Sequence, residues 1–392
     1  MTDEPPEPTS HIDHVHVHGH GGLDVDPERA RAIWIAAVVC GAITLLLAIL
    51  LWPSGDGVGD DPLLLDADPV DAEVIGVDLA ACSFDPIERC ARVRFELDDG
   101  RFDGDGGAIE ETSTGRFDVG DRIRVVWFDD ISGERIYSVY DFQRDRPMLL
   151  LVALFAAAVI GLGRWRGVGA LAGLAASLLV IVWFTLPAIL DGTDPVLVAV
   201  VSASIIAFLA LFLAHGIEPS TAVALVATLA SLVLTALLAQ VFVSAARFTG
   251  MSDDPSLLLS GLGSGVDPRG ILLAGIVIGS LGVLDDVTVT QVSAVWQLKS
   301  LRPELSSREL VTPALRIGRD HISSTVNTLF LAYAGTSLPL LLLFVEADQG
   351  FGNIVTRELV ATEVVRALVG SIGLVASVPI ATWLAALVVS SD

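Results

Sequence analysis

At 392 residues, with 53% hydrophobic content and a mean hydropathy of +0.66, the chain is too apolar to be one water-soluble globule. Its formal net charge of −24 excludes nucleic acid as a natural partner, because phosphate would be repelled. The acidity is local: residues 53–147 hold 24 acidic and 10 basic side chains, whereas residues 148–392 add a net of only −5.

The first 31 residues form a tail rich in Pro, Glu, Asp and Gly, disordered by composition. His14, His16, His18 and His20 follow His11 within ten positions, and imidazoles this dense chelate a divalent metal. The competing reading is a low-complexity tail whose metal affinity serves no purpose.

Eight charge-free stretches follow, at 32–52, 147–163, 167–190, 195–214, 220–246, 270–284, 322–345 and 367–391. Crossing a bilayer takes about 20 apolar residues, so the expected fold is an all-α polytopic membrane protein with about eight transmembrane helices. The lipid bilayer is its expected partner. The first stretch lacks the short basic start and cleavage site of a signal peptide and reads as an uncleaved anchor over 32–52. Arg29 and Arg31 ahead of it place the N-terminus in the cytoplasm under the positive-inside rule. Residues 53–146 then lie outside, Arg164 and Arg166 inside, and the acidic turn Asp191–Asp194 outside. The basic connection 299–321 falls inside and the acidic loop 346–363 outside. Residues 147–391 thus make a seven-helix membrane domain, with the C-terminus also cytoplasmic.

The insert 53–146 changes period. Val74–Leu79, Ala91–Leu97, Arg122–Phe128 and Arg135–Tyr140 largely alternate apolar with polar residues, the pattern of strands with one buried face. Turn clusters at Asp98–Gly100, Asp103–Gly107 and Val119–Asp121 separate them. Four or five strands in about 75 residues predict a small extracytoplasmic β-barrel or sandwich, OB-like in kind. Cys82 and Cys90 both fall here; an exported domain permits a disulfide between them, and spacing alone does not decide it.

In the membrane domain, Asp285 and Asp286 end the sixth stretch early and are followed by Thr288 and Gln291. A charge inside a span is expensive without a role or partner. The seventh stretch opens with Arg319, Asp320 and His321, then Ser323, Ser324, Thr325, Asn327 and Thr328, an unusually polar half-helix for lipid. Asp285, Asp286, Asp320, His321, Asn327, Thr288 and Gln291 are therefore the candidate pathway or ion site, with His321 as a proton relay or metal ligand. Two plainer readings compete. Arg316 or Arg319 neutralises the aspartates in an ion pair, or the aspartates mark an ordinary helix end and Val287–Leu298 lies along the membrane surface. Ser306–Glu309 is a capping box and predicts a short cytoplasmic helix over 307–318. Gly261–Gly265 resembles a phosphate loop only superficially, since no Lys-Ser/Thr follows, and no catalytic motif is present.

Ser260–Gln291, with its Gly282-Val-Leu-Asp-Asp-Val-Thr288 phrase, resembles the YibE/F family of bacterial membrane proteins. Gly318–Gly335 and Tyr140–Arg144 carry the same resemblance, which covers roughly residues 70–390. The resemblance implies a multi-spanning protein of the bacterial plasma membrane and supplies no catalytic residues. The 22 Arg against one Lys agree with a bacterial source of GC-rich coding. The functional expectation is a non-enzymatic transporter or channel with a polar pathway between the sixth and seventh helices. The alternative is a scaffold or sensor whose outer β-domain binds a partner.

Overall fold

The structure is a computed structural model that describes residues 25–54, 69–83, 85, 87–98, 104–112, 115–129, 135–252, 265–346 and 350–389. The histidines of the tail and residues 253–264, with most of the glycine loop, lie outside these residues. Two compact units divide the chain: one runs through Pro53 and resumes at Ala175, and the other is Ser54–Leu174.

Among the described residues of Ser54–Leu174, five strands form one antiparallel sheet: β1 (Val70–Ala81), β2 (Arg89–Leu97), β3 (Gly106–Glu111), β4 (Arg122–Asp129) and β5 (Arg135–Phe142), in the order β3-β2-β1-β4-β5. Alternation makes its core, with Ala72, Val74, Val93, Phe95, Leu97, Ile123 and Val125 almost wholly buried. A bulge between Val74 and Gly76 bends the long central strand β1. The sequence pattern picks out β1, β2, β4 and β5 and passes over β3, which begins Gly106-Gly107 and so reads as a turn. The second glycine is required there: a Cβ on Gly107 would stand 2.6 Å from Phe95 Cε2. Cys82 and Cys90 are joined as a disulfide with Cα atoms 5.0 Å apart, closing the loop between β1 and β2. Arg124 joins Asp71 on β1 at 3.2 Å to Asp145, the first residue of the following helix, at 2.7 Å.

That helix, α2 (Asp145–Val180), passes through a π-helical turn (Ile181–Thr185) into α3 (Leu186–Leu190). Together they form a 46-residue apolar stretch. At 1.5 Å per residue a straight helix of that length would reach about 69 Å, twice a hydrocarbon core of about 30 Å. It is broken at Arg164, which adopts φ 51°, ψ −129°. Beyond the break the chain folds back, so that Gly167 lies against the carbonyl of Val159 and within 3.2 Å, at an added Cβ, of Ile160 Cα.

Besides α3 and the end of α2, the helices of the larger unit among the described residues are α1 (Pro27–Leu50), α4 (Pro195–His215), α5 (Pro219–Ala245), α6 (Pro268–Leu301), α7 (Ser307–Thr336), α8 (Leu338–Glu346), α9 (Phe351–Val355) and α10 (Glu358–Val389). Three begin at an Asp-Pro pair: Asp26, Asp194 and Asp267 accept backbone N–H groups of the first turn while the proline takes the position that needs no donor. Among the described residues six helices are long and apolar enough to cross a membrane, with Asp145–Leu190 counted as one. The pair α7–α8, bent by 60°, makes a seventh if it is a single broken span. Small residues let α5, α6 and α10 pack closely: Gly373 sits against Thr235, and a Cβ on Gly370 would be 3.4 Å from Ser280 Oγ. The start of α1 is fastened to the end of α10, where Asp26 N–H donates to Val388 O (3.2 Å) and Arg29 Nη1 to Leu387 O (2.9 Å).

Two sequence expectations change. The capping box is present, with Ser306 N–H donating to Glu309 Oε2 at 3.0 Å, but the helix it opens runs 30 residues to Thr336 rather than ending near 318. Val287–Leu298 does not lie along a surface as a separate segment, because α6 continues without a break from Pro268 to Leu301. Charge alone marked a helix end at Asp285; the apolar contacts of Val287, Val292 and Val295 on the far side carry the helix through.

Candidate functional site

The aspartates sit half-way along α6, a position that the paired charge makes unusual and that its neighbours explain. Thr288 and Gln291, one and two turns on, are buried and fully engaged. Thr288 Oγ1 shares a 2.6 Å hydrogen bond with Thr228 of α5 and lies 3.0 Å from the carbonyl of Asp285. Gln291 Nε2 donates to Ala314 O on α7 (2.9 Å) and to Thr382 Oγ1 on α10 (2.7 Å). Gly318 permits this three-helix junction, since a Cβ there would meet Val378 Cγ1 at 2.5 Å and Gln291 Oε1 at 2.8 Å. Thr288 thus ties α6 to α5, and Gln291 ties it to α7 and α10.

The junction also fixes the register of α6 against α7. Asp285 lies six residues from Gln291, about 9 Å along α6; His321 lies three residues beyond Gly318 and seven beyond Ala314, about 5–10 Å in the same direction on its antiparallel neighbour. The two residues therefore stand at one level. Ile322 and Val326 of α7 pack on the cluster that contains Leu281, Leu284 and Val287, which seats this stretch of α7 against α6. Asp285 Oδ1 and His321 Nε2 are each buried with no hydrogen-bond partner. Asp286, Asp320 and Asn327 are exposed. The ion-pair reading is not met: in this unit the pairs among the described residues are Arg29–Asp26 and Arg366–Glu363, and neither aspartate joins Arg316 or Arg319.

The exposed face of α6 extends the site. From Gly275 through Gly279, Gly282, Asp286, Thr290 and Ser293 to Gln297, every exposed residue is small or polar, at spacings of three or four. The exposed face of α10 is Leu368, Ile372, Val375, Pro379, Trp383 and Leu387, as lipid demands. Beside α6, the exposed residues of α7 from Arg316 to Thr328 are mostly polar as well: Arg316, Arg319, Asp320, Ser323, Ser324 and Asn327. Asn327 and Ser323 face Ser371 across a cavity of about 310 Å³ between α7 and α10. A second cavity of about 290 Å³ shares Phe330 and Ala367 with it and continues toward Leu341 and Val360.

Three residues of this second region escaped the sequence reading. Arg366 Nη1 donates to both oxygens of Glu363 (2.9 and 3.1 Å), and its guanidinium carbon lies 6.0 Å from the Tyr333 ring centre. The sequence assigns Glu363 to a loop and Arg366 to the edge of the last span. Because α10 starts at Glu358, both fall inside a helix. Their i, i+3 spacing was the available signal.

The match to known families rests on this helical region: the profile described as YibE/F-like protein covers residues 151–391. The chain belongs to the YibE/F-like family. No curated protein and no solved structure matches the chain. The YibE/F-like region contains every residue of the α6–α7 site, together with Glu363 and Arg366, and omits the sheet.

Proposed function

We propose that this YibE/F-like protein is a non-enzymatic transporter or channel of the bacterial plasma membrane, which moves a proton or small cation along α6 and α7. The observation that carries the reading is the polar face of α6 beside two buried, unpartnered groups, Asp285 Oδ1 and His321 Nε2. A carboxylate and an imidazole at one depth, each with an atom left without a partner, can each take up a proton or help to hold a passing cation. The reading includes eight spans, reached by dividing Asp145–Leu190 at Arg164 and counting α7–α8 as one. Parity removes the count of seven: the α1 start and the α10 end are hydrogen-bonded together, which requires an even number of crossings, six or eight, and the break at Arg164 favours eight. Both ends then lie in the cytoplasm and the sheet outside. The Arg135–Asp105 pair at 3.8 Å, joining the heads of edge strands β5 and β3, supports closure of that sheet toward a barrel.

Asp285→Asn keeps the side-chain shape and removes the charge. The purified variant should retain its yield and thermal stability while uptake in liposomes, measured across protons and alkali and divalent cations, falls at least tenfold. A stable variant with full uptake would sink the reading. A second reading, a scaffold or sensor, draws on Phe128 and Ile136, paired across β4 and β5 and 52% and 43% exposed, with Tyr140 55% exposed nearby on β5. An apolar patch of this kind is where a protein partner would bind.

A further inference from the structure

We propose that a second copy of this chain covers the polar face of α6 and α7, so that the pathway proposed above is incomplete in one copy. The α6 stripe from Gly275 to Gln297 is about 33 Å long, the full depth of a hydrocarbon core. In a single copy that depth of Gly, Asp, Thr, Ser and Gln faces lipid. A carboxylate in hydrocarbon costs several kcal/mol, and polar hydroxyls and amides there lose their hydrogen bonds. The outward faces of α5 and α10 show no such pattern: Val233, Leu237 and Val241, then Leu368, Ile372 and Val375, are exposed.

Charge selects the occupant. The only ionisable group on the α6 stripe is Asp286, and the adjoining α7 face carries Arg316, Arg319 and Asp320, a net charge of +1, with neither guanidinium in an ion pair among the described residues. Two copies in one membrane share their orientation, so a twofold axis along the membrane normal preserves depth. The register set by Gln291 and Gly318 puts Asp286 at the depth of Arg319 to Ser323. Across the axis, Asp286 of each copy meets the guanidinium of Arg319 on the other, and two equivalent ion pairs form. Gly282, where an added Cβ would meet nothing within 4 Å, removes a side chain that would hold the helices apart. The enclosed stripe then lines a polar seam beside Asp285 and His321.

The test is oxidative cross-linking in membranes, in a Cys40→Ala background. Gly282→Cys, where nothing lies within 4 Å of an added Cβ, and Ser293→Cys on the same face should each give a covalent dimer of twice 41.2 kDa. Val233→Cys on the apolar face of α5 should give none. Asp286→Arg should cut the dimer yield at least tenfold, and Asp286→Arg with Arg319→Asp should restore it. Equal cross-linking from α5, cross-linking of α6 to a different protein, or one chain per particle in native-lipid discs by photobleaching would overturn the proposal. A monomer with Asp285-dependent uptake refutes the second copy and leaves the pathway standing. A dimer with no such uptake does the reverse.

Discussion

Gln291 and Gly318 show how one residue can serve three helices. The amide of Gln291 bonds to α7 and α10 because Gly318 leaves room for it, so even a methyl group at 318 must push into Val378 or Gln291. Gly318→Ala should therefore lower the stability of the purified protein by about 1–3 kcal/mol, the usual range for overpacking, read as an earlier thermal transition. On the sheet, Asp141 is held below the usual carboxylate range, first by the Arg144 guanidinium at 2.6 Å and then by the Phe142 N–H. A carboxyl lowered on folding stabilises the fold above its unfolded value, near ~3.9, and loses that contribution as pH falls through the lower folded value. Arg144→Gln should flatten this part of the acid dependence, measured as thermal melting of the β-domain at pH 5 against pH 3. High salt should narrow the difference, since the pair is exposed.

At the scale of elements, helices were legible where apolar residues run on and misread where a charge interrupts them. Asp285 and Asp286 looked like an end because hydropathy is local, whereas α6 is sustained by contacts its far half makes with α5, α7 and α10. The polar residues of the site were visible in the sequence, and their division of labour was not. Thr288 and Gln291 prove to be ties, Asp285 and His321 are left over, and only burial and partners separate the two groups. The β3 strand was hidden by its glycines. The Cys82–Cys90 bridge is an element-scale staple over a separation of eight residues. Replacing both cysteines with serine should cost the β-domain about 2–3 kcal/mol on loop entropy, and alkylation of the native protein should modify neither without reduction.

For the whole molecule, membrane class and family membership could be read from the residues, while the number of crossings could not. The sequence separates 147–163 from 167–190 at Arg164 and Arg166, and the backbone breaks at Arg164. With eight crossings, a membrane-impermeant thiol reagent added from outside should reach cysteines at Gly104 and Asp348 and miss those at Gly167 and Ser306. Inside labelling at Gly104 would invert the arrangement.

The fastening of Asp26 and Arg29 to Val388 and Leu387 ties α1 to α10, more than 350 residues later in the chain. At about 5–20 residues per second, the ribosome takes roughly 20–70 s to deliver the partner after the α1 start has emerged. Throughout that interval the opening of α1 waits in the membrane with its α10 contact unmade, so this part of the bundle closes only after α10 has been synthesised. Nascent chains stalled short of Trp383 should accordingly be the species that membrane quality control removes, and the finished chain the one it spares.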